Sequence, residues 1–215
     1  ININLICGNQ NIGIGLYVTY QMTNNKFKNK PNKVCYTDTG HVWHSRSCVV
    51  IGHIHCIIND GHTEVTDDDI YVLVGTRGSG KHKGFYNCPT GYLDWSENIE
   101  NAMYREVYEE AGLYLKKKKK NIRYKTKDQP WFINSEPSVT LQNILFHCGV
   151  LMEVDTVADL PPVHLNNMEK DECENIEWIK LSDVRKIPER FCFNHHLRIF
   201  EFHRHCYENF KGIYF

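Results

Sequence analysis

The stretch that decides the fold runs from Gly91 to Leu113 and reads GYLDWSENIENAMYREVYEEAGL. Apolar residues recur in it at the spacing of one helix face, which is typical of a helix packed against a core. This periodicity predicts a helix over Ile99–Ala111, and Gly112 favours a left-handed end to it. The apolar stripe consists of Ile99, Ala102, Met103, Val107 and Ala111.

Three carboxylates share another face of the same helix. Glu106, Glu109 and Glu110 are spaced i, i+3 and i+4, so their side chains are neighbours. Close carboxylates repel one another unless one is protonated or a cation lies among them. Oxygen donors at this density suit Mg²⁺, Mn²⁺ or Ca²⁺, and Arg105 is placed to orient one of them. Taken alone, the three glutamates favour a solvated helix face, and the metal interpretation depends on the wider pattern.

The wider pattern resembles the complete signature of the Nudix hydrolase family. Gly91, Glu97 and the run REVYEEAGL at 105–113 match all nine fixed or class-restricted positions of that signature. The resemblance implies an α/β/α sandwich with a mixed β-sheet. It also implies an enzyme that hydrolyses a nucleoside diphosphate linked to another group with Mg²⁺ or Mn²⁺ as cofactor. Many members begin the signature with two glycines, whereas Thr90 stands first here.

Carried over by position, the resemblance assigns roles to five residues. Glu106, Glu109 and Glu110 would hold the metal. Glu97 would be an auxiliary carboxylate and Arg105 the orienting residue, and both belong with Glu109 to the expected catalytic group. The resemblance further implies a general base from a glutamate of the signature or of a later loop. Glu172 is favoured for that role, and the other candidates are Glu174 and Glu177.

Further side chains are candidates for binding substrate. Arg46 precedes the first core strand and either binds phosphate or pairs with an acid. Arg77 and Lys81 belong to GTRGSGKH at 75–82, which is close to a P-loop. Because His82 stands where that motif needs a hydroxyl for magnesium, we predict a flexible loop instead. Aromatic rings that either stack on a base or pack in the core are Tyr92, Trp131 and Phe132.

Outward from the signature, the sequence predicts a mixed α/β pattern without regular βαβ alternation, which favours a mixed sheet flanked by helices. Cys48–Ile58 and Ile70–Val74 are expected to form an antiparallel pair. Ser182 is expected to cap a short helix to Lys186. We expect one domain over 1–215, with 1–40 as an N-terminal extension and 195–215 as a C-terminal helix. The amphipathic pattern that predicts this helix covers His195–Phe210. Other predicted strands are Leu16–Tyr20, Leu141–Met152 and Ile176–Lys180.

Charge is distributed unevenly along the 215 residues, whose net charge is −1. Residues 116–128 hold eight basic side chains and one acid, a net +7, so the remainder carries −8. The run Lys116–Lys120 predicts either a solvated loop or a collector for polyphosphate or RNA. No apolar run approaches the roughly 18–20 residues that span a bilayer. We therefore expect no membrane partner, and the sequence leaves a homodimer open.

Nine cysteines without a Cys-x-x-Cys pair indicate reduced, mostly buried thiols in a cytoplasmic protein. We see no secretory leader. The segments His53-x-His55-Cys56 and His203-x-His205-Cys206 invite a zinc interpretation, but neither has the spacing of a zinc finger.

Three functional hypotheses follow. The first is a divalent-metal-dependent pyrophosphohydrolase acting on ADP-ribose, an NADH-like dinucleotide or a nucleoside triphosphate. An RNA cap or an inositol pyrophosphate is the alternative substrate. The hypothesis from another class is a nucleotide-binding module that keeps the fold without turnover.

Overall fold

The computed structural model describes residues 34–36, 42–44, 46–61, 64–94, 97–115, 122–126, 130–136, 140, 143–166 and 171–209. Leu16–Tyr20 and most of the predicted N-terminal extension therefore lie outside the described residues, so the domain prediction stays a prediction. The strands are β1 (Val34–Tyr36), β2 (Val42–His44), β3 (Cys48–Ile58), β4 (Ile70–Arg77), β5 (Tyr86–Asn87), β6 (Thr90–Tyr92), β7 (Arg123–Thr126), β8 (Phe132–Asn134), β9 (Ile144–Val154) and β10 (Cys173–Lys180). The helices are α1 (Ile99–Ala111), α2 (Leu181–Lys186) and α3 (His195–Asn209).

The centre of the sheet is a parallel pair of long strands. β3 has the bounds predicted from its β-branched apolar run, and nine of its eleven residues are buried. It pairs with β9 along its whole length, from Cys48 opposite Ile144 to Ile58 opposite Val154. A strand buried on both faces shows such a continuous apolar run rather than alternation.

Shorter antiparallel pairings complete a mixed eight-stranded sheet. Its order is β10-β4-β3-β9-β7, with β5, β6 and β8 pairing with β4, β3 and β9. The expected antiparallel pair of β3 and β4 is present, with His55 opposite Val72. Strands β1 and β2 form a separate two-stranded ribbon. The predicted mixed sheet is confirmed.

Two apolar layers enclose the sheet and confirm the α/β/α sandwich. On one face, Met103 and Val107 of α1 pack in a cluster that includes Ile54. On the other, Ile199 and Phe202 of α3 pack in a cluster with residues of β3, β4 and α2. The alternation of side chains along β3 supplies both faces. In the described part of the chain, no helix has the length and apolar character required to span a membrane.

Three local expectations are corrected. The strand predicted at Leu141–Met152 is β9, which begins at Ile144, and the one predicted at Ile176–Lys180 is β10, which begins at Cys173. The prediction that Ser182 caps α2 is wrong. Lys180 occupies the cap position without a side-chain hydrogen bond, and the Ser182 hydroxyl donates to Asp68 at 2.6 Å.

Candidate active site

Helix α1 presents its glutamates from a firmly defined position. Asn98 caps its start by accepting a hydrogen bond from the Asn101 amide at 2.8 Å. Gly112, at φ 61°, ends it by donating its amide to the Tyr108 carbonyl. The apolar stripe faces the sheet, with Ala102, Met103, Val107 and Ala111 fully buried as predicted. Glu106 and Glu110 are buried beside this stripe, and Glu109 is half-buried.

Arg105 joins these carboxylates to each other. Its Nη1 donates to Glu106 at 2.6 Å and to Glu109 at 3.0 Å. Its Nη2 and Nε contact the two oxygens of Glu97 at 2.6 and 3.2 Å. Burial alone lowers the pKa of Arg105, but its bonds to Glu97 and Glu106 outweigh burial and raise that pKa. The orienting geometry expected of Arg105 is therefore present.

A short segment before the helix fits closely around two of the carboxylates. The Thr90 amide donates to Glu110 Oε1 at 3.0 Å, so replacing the usual glycine keeps a backbone donor there. A Cβ on Gly91 would lie 2.0 Å from the carboxylate of Glu106. Glu106 and Glu110 are only 5% and 6% exposed. These two side chains therefore do not form a solvated helix face.

The donor set fits a hard divalent cation. Asp94, Glu97, Glu106 and Glu109 surround Arg105, with Asp94 Oδ2 3.9 Å from its Nε. With Glu110 this is five carboxylates against one guanidinium, a surplus of four negative charges. Oxygen-only donors with such a surplus suit Mg²⁺ or Mn²⁺ rather than zinc. Across the described ranges, no three acidic, His or Cys side chains already converge in a chelating arrangement.

The candidate general bases lie on β10 or immediately before it. Glu172 has an exposed side chain, and its carbonyl accepts the Gly78 amide at 2.8 Å. Glu174 forms an ion pair with Lys83 at 2.8 Å. Glu177 accepts a hydrogen bond from Asn175 at 2.8 Å. Among the described residues, the Glu172 carboxylate has neither an ion pair nor a hydrogen bond, so it remains the preferred candidate, and its role stays a prediction.

The three basic candidates occupy different environments. Arg46 Nη2 donates to the carbonyls of Ser135 and Asn143 and to the hydroxyl of Thr140, which favours a structural role over the predicted phosphate binding. Arg77 ends β4, and Lys81 is exposed in the following turn, where no helix of a P-loop follows. The run Lys116–Lys120 lies outside the described residues.

A buried histidine cluster was not predicted from the sequence. His53 Nε2 and His147 Nδ1 are 3.0 Å apart, and His195 Nδ1 accepts the Cys88 amide at 2.9 Å. Burial lowers the pKa of His147 to about 3 and that of His195 to about 4. The one available signal was the placement of His53 and His55 inside an apolar strand. The neutral imidazole of His195 therefore connects α3 to the segment that precedes the signature.

The aromatic candidates divide between the core and the surface. Trp131 lies 5.5 Å from the Phe202 ring on the α3 side of the sheet, and Phe132 lies under the Arg198 guanidinium at 4.3 Å. Core packing therefore accounts for Trp131. Tyr92 is 44% exposed beside the glutamates, and its carbonyl accepts from Arg105 Nη2.

Comparison with known proteins agrees with this architecture. The family model of the NUDIX domain matches residues 53–200. Two crystal structures of a bifunctional NMN adenylyltransferase/ADP ribose pyrophosphatase from Francisella tularensis, one complexed with AMP and a Mn ion, are 19% identical, with a TM-score of 0.53. They align with 75% of this chain, which spans 42% of theirs. A mutT/nudix family protein from Listeria innocua is 14% identical over 76% of this chain and 96% of its own, with a TM-score of 0.49.

Proposed function

This chain belongs to the Nudix hydrolase family, and we propose that it is a divalent-metal-dependent pyrophosphohydrolase that cleaves a nucleoside diphosphate linked to another moiety. The observation that carries the proposal is the group of carboxylates held by Arg105 opposite Gly91. A surplus of negative charge on a half-buried helix face is costly without a cation. A solvated helix face would not need the close fit between Gly91 and Glu106.

We assign Glu106, Glu109 and Glu110 as the residues that would hold Mg²⁺ or Mn²⁺. The bound ion supplies charge neutralisation of the phosphoryl oxygens and a more acidic water. Arg105 keeps Glu106 and Glu109 in place through its Nη1 group. Its Nε and Nη2 groups donate to Glu97. Preorganised groups of this kind need little rearrangement at the moment of reaction.

We further propose that protein side chains flank this centre on the β4 and β10 side. Glu172 is placed in a turn next to Gly78 and would accept the proton of the attacking water. Arg77 and Lys81 would bind phosphate oxygens. The substrate is proposed to be ADP-ribose, an NADH-like dinucleotide or a nucleoside triphosphate. The cytoplasmic location, the homodimer, and RNA binding through Lys116–Lys120 remain predictions.

The test is a product-resolved screen with Mg²⁺ or Mn²⁺ over ADP-ribose, NADH, nucleoside triphosphates, capped RNA and inositol pyrophosphates. We expect release of a nucleoside monophosphate from at least one nucleotide substrate. The variant Glu109→Gln should lower turnover by about 100-fold or more, since it removes one charged ligand. Its melting temperature should stay within about 2 °C of the parent, because a partly exposed i,i+4 ion pair contributes little stability.

The matched control is Glu208→Gln, an exposed acid on α3. It should leave both turnover and melting temperature unchanged. Full turnover in Glu109→Gln would show that Glu109 is not a metal ligand. Absence of hydrolysis of every compound by the parent protein would overturn the proposed function in favour of a binding module.

A further inference from the structure

A strained turn precedes helix α3. Phe193 and Asn194 are consecutive residues at φ 54° and φ 57°, and they are the non-glycine residues with positive φ in the described part of the chain. Asn tolerates this left-handed region, whereas a bulky residue such as Phe is an outlier there. Backbone strain of this kind persists only where the surroundings enforce it, and it concentrates at binding sites. The left-handed backbone of Phe193 therefore requires a structural or functional explanation.

Both ends of the turn are fixed in the core. Phe191 is 6% exposed and forms a bridge with Tyr86. On the other side, His195 is 4% exposed and accepts the Cys88 amide. The chain between these two buried residues lies at the surface, and the Phe193 side chain is 51% exposed. The strain therefore holds an apolar ring half exposed to solvent, where it buries less apolar surface than a core residue does.

The exposed ring belongs to a small aromatic platform, formed by Phe193, His82 and Phe85. The His82 ring lies 4.7 Å from that of Phe193 and 5.8 Å from that of Phe85, both nearly edge to face. Phe85 is itself 39% exposed. Edge-to-face contacts fix the orientation of the rings while leaving ring surface free for a planar ligand.

Arg77 adds a positive charge to the platform. Its Cζ lies 5.4 Å from the centre of the Phe193 ring. Its Nε is buried without a hydrogen-bond partner, and no described carboxylate lies within ion-pair distance of its guanidinium. A buried donor left unused costs free energy unless a ligand satisfies it. The planar guanidinium suits bidentate contact with a phosphate.

The platform lies at the same end of the sheet as the glutamates. Arg77 is opposite Cys173 in the pairing of β4 and β10. On the other edge of β4, Thr76 pairs with Tyr86 of β5, and four residues after Tyr86 the Thr90 amide donates to Glu110 at 3.0 Å. A ligand that joins a diphosphate to a flat ring can therefore extend from the glutamate side towards Arg77 and Phe193.

Resting on the proposed function, we infer that Phe193 stacks on the base of the nucleotide substrate while Arg77 binds the attached phosphate. The aromatic face selects for a nucleobase or nicotinamide ring, and the guanidinium selects for the phosphate next to it. Inorganic diphosphates, and sugar diphosphates that lack a base, gain only the second contact. The platform is thus a specificity site, and it is not required for bond cleavage itself.

The decisive variant is Phe193→Gly, which removes the ring and suits the left-handed backbone. For ADP-ribose or the best nucleotide substrate of the screen, KM should rise about 5- to 150-fold, the range expected for one lost base stack. For 5-phosphoribosyl 1-diphosphate, which has a diphosphate but no base, kcat/KM should change less than about 2-fold. The melting temperature should stay equal or rise, because strain is relieved.

Two controls separate stacking from general damage. Leu197→Ala removes a side chain that is also half exposed, on α3, and should leave all kinetic constants unchanged. Phe193→Leu keeps apolar bulk without an aromatic face, and should resemble Phe193→Gly in KM. A KM that is unchanged in both Phe193 variants, or equal losses on the base-free substrate, would overturn the inference. A fall in the melting temperature of Phe193→Gly by more than about 4 °C would also overturn it, because it would show that the Phe193 ring stabilises the fold.

Failure of the proposed function is distinguished by a binding measurement. If the parent protein hydrolyses none of the compounds, the affinity for AMP is measured by equilibrium dialysis in the parent and in Phe193→Gly. Weaker AMP binding by the variant would support the platform although turnover is absent. Equal binding, or no binding to the parent, would overturn the platform as well.

Discussion

Replacing Gly91 by Ala should disturb the active site through a single carboxylate. The added Cβ would lie 2.0 Å from Glu106 Oε1, against at least 3.4 Å for an ordinary contact, so that carboxylate must move by about 1.4 Å. The backbone at Gly91 cannot retreat, because β6 pairs it with Val50 of the central strand. A misplacement of about 1 Å at a reacting group can cost about 100-fold in rate.

We therefore expect kcat/KM of Gly91→Ala to fall about 100-fold. Stability should fall by about 2–3 kcal/mol, because overpacking and a weakened bond between Arg105 and Glu106 both contribute. For a chain of this size the melting temperature should then drop by about 4–12 °C. Initial rates with Mn²⁺ and scanning calorimetry measure the two effects.

A double-mutant cycle identifies the cause. In a Glu106→Ala background the carboxylate is gone, so Gly91→Ala should cost less than about 0.5 kcal/mol there. An equal cost in both backgrounds would refute the steric argument. So would a Gly91→Ala protein with the rate and melting temperature of the parent.

Two further predictions concern the guanidinium and the buried histidines. Arg105→Lys keeps the charge but loses the planar guanidinium that contacts several carboxylates at once. We therefore expect kcat/KM to fall about 10- to 100-fold and the Mn²⁺ concentration for half-maximal rate to rise. The control Arg185→Lys, at an exposed position, should change neither quantity. Burial holds the pKa of His147 near 3 and that of His195 near 4, below the unfolded value of 6.5. Their contribution to stability is present above pH 6.5 and is lost as the pH falls towards 4, by roughly 1 kcal/mol per pH unit for each histidine. Urea unfolding midpoints at pH 7.5, 6 and 5 measure this loss, and a midpoint independent of pH would contradict it.

Contiguous signals predicted the two elements that organise the fold. The bounds of α1 follow from its apolar stripe and the glycine after it, and the structure adds the Asn98 cap. The bounds of β3 follow from an unbroken β-branched run. In both cases the deciding residues are neighbours in the chain, so local periodicity contains the answer.

Long-range contacts could not be predicted in the same way. The Thr90 amide reaches Glu110 across 20 residues, and the Cys88 amide reaches His195 across 107. Periodicity does not report which polar atoms meet once the sheet has formed. The burial of Glu110 and the strain at Phe193 depend on such contacts, so both appear only in the folded chain.

The parallel pairing at the centre of the sheet also has a consequence for biosynthesis. Cys48 and its partner Ile144 are 96 positions apart, and helix α1 is made in between. At about 5–20 residues per second, a ribosome needs roughly 5–20 s to supply the second strand. Throughout that interval one edge of an apolar strand has no neighbour. The emerging polypeptide is then most open to chaperone binding and to self-association, so slow translation of this region should lower its yield.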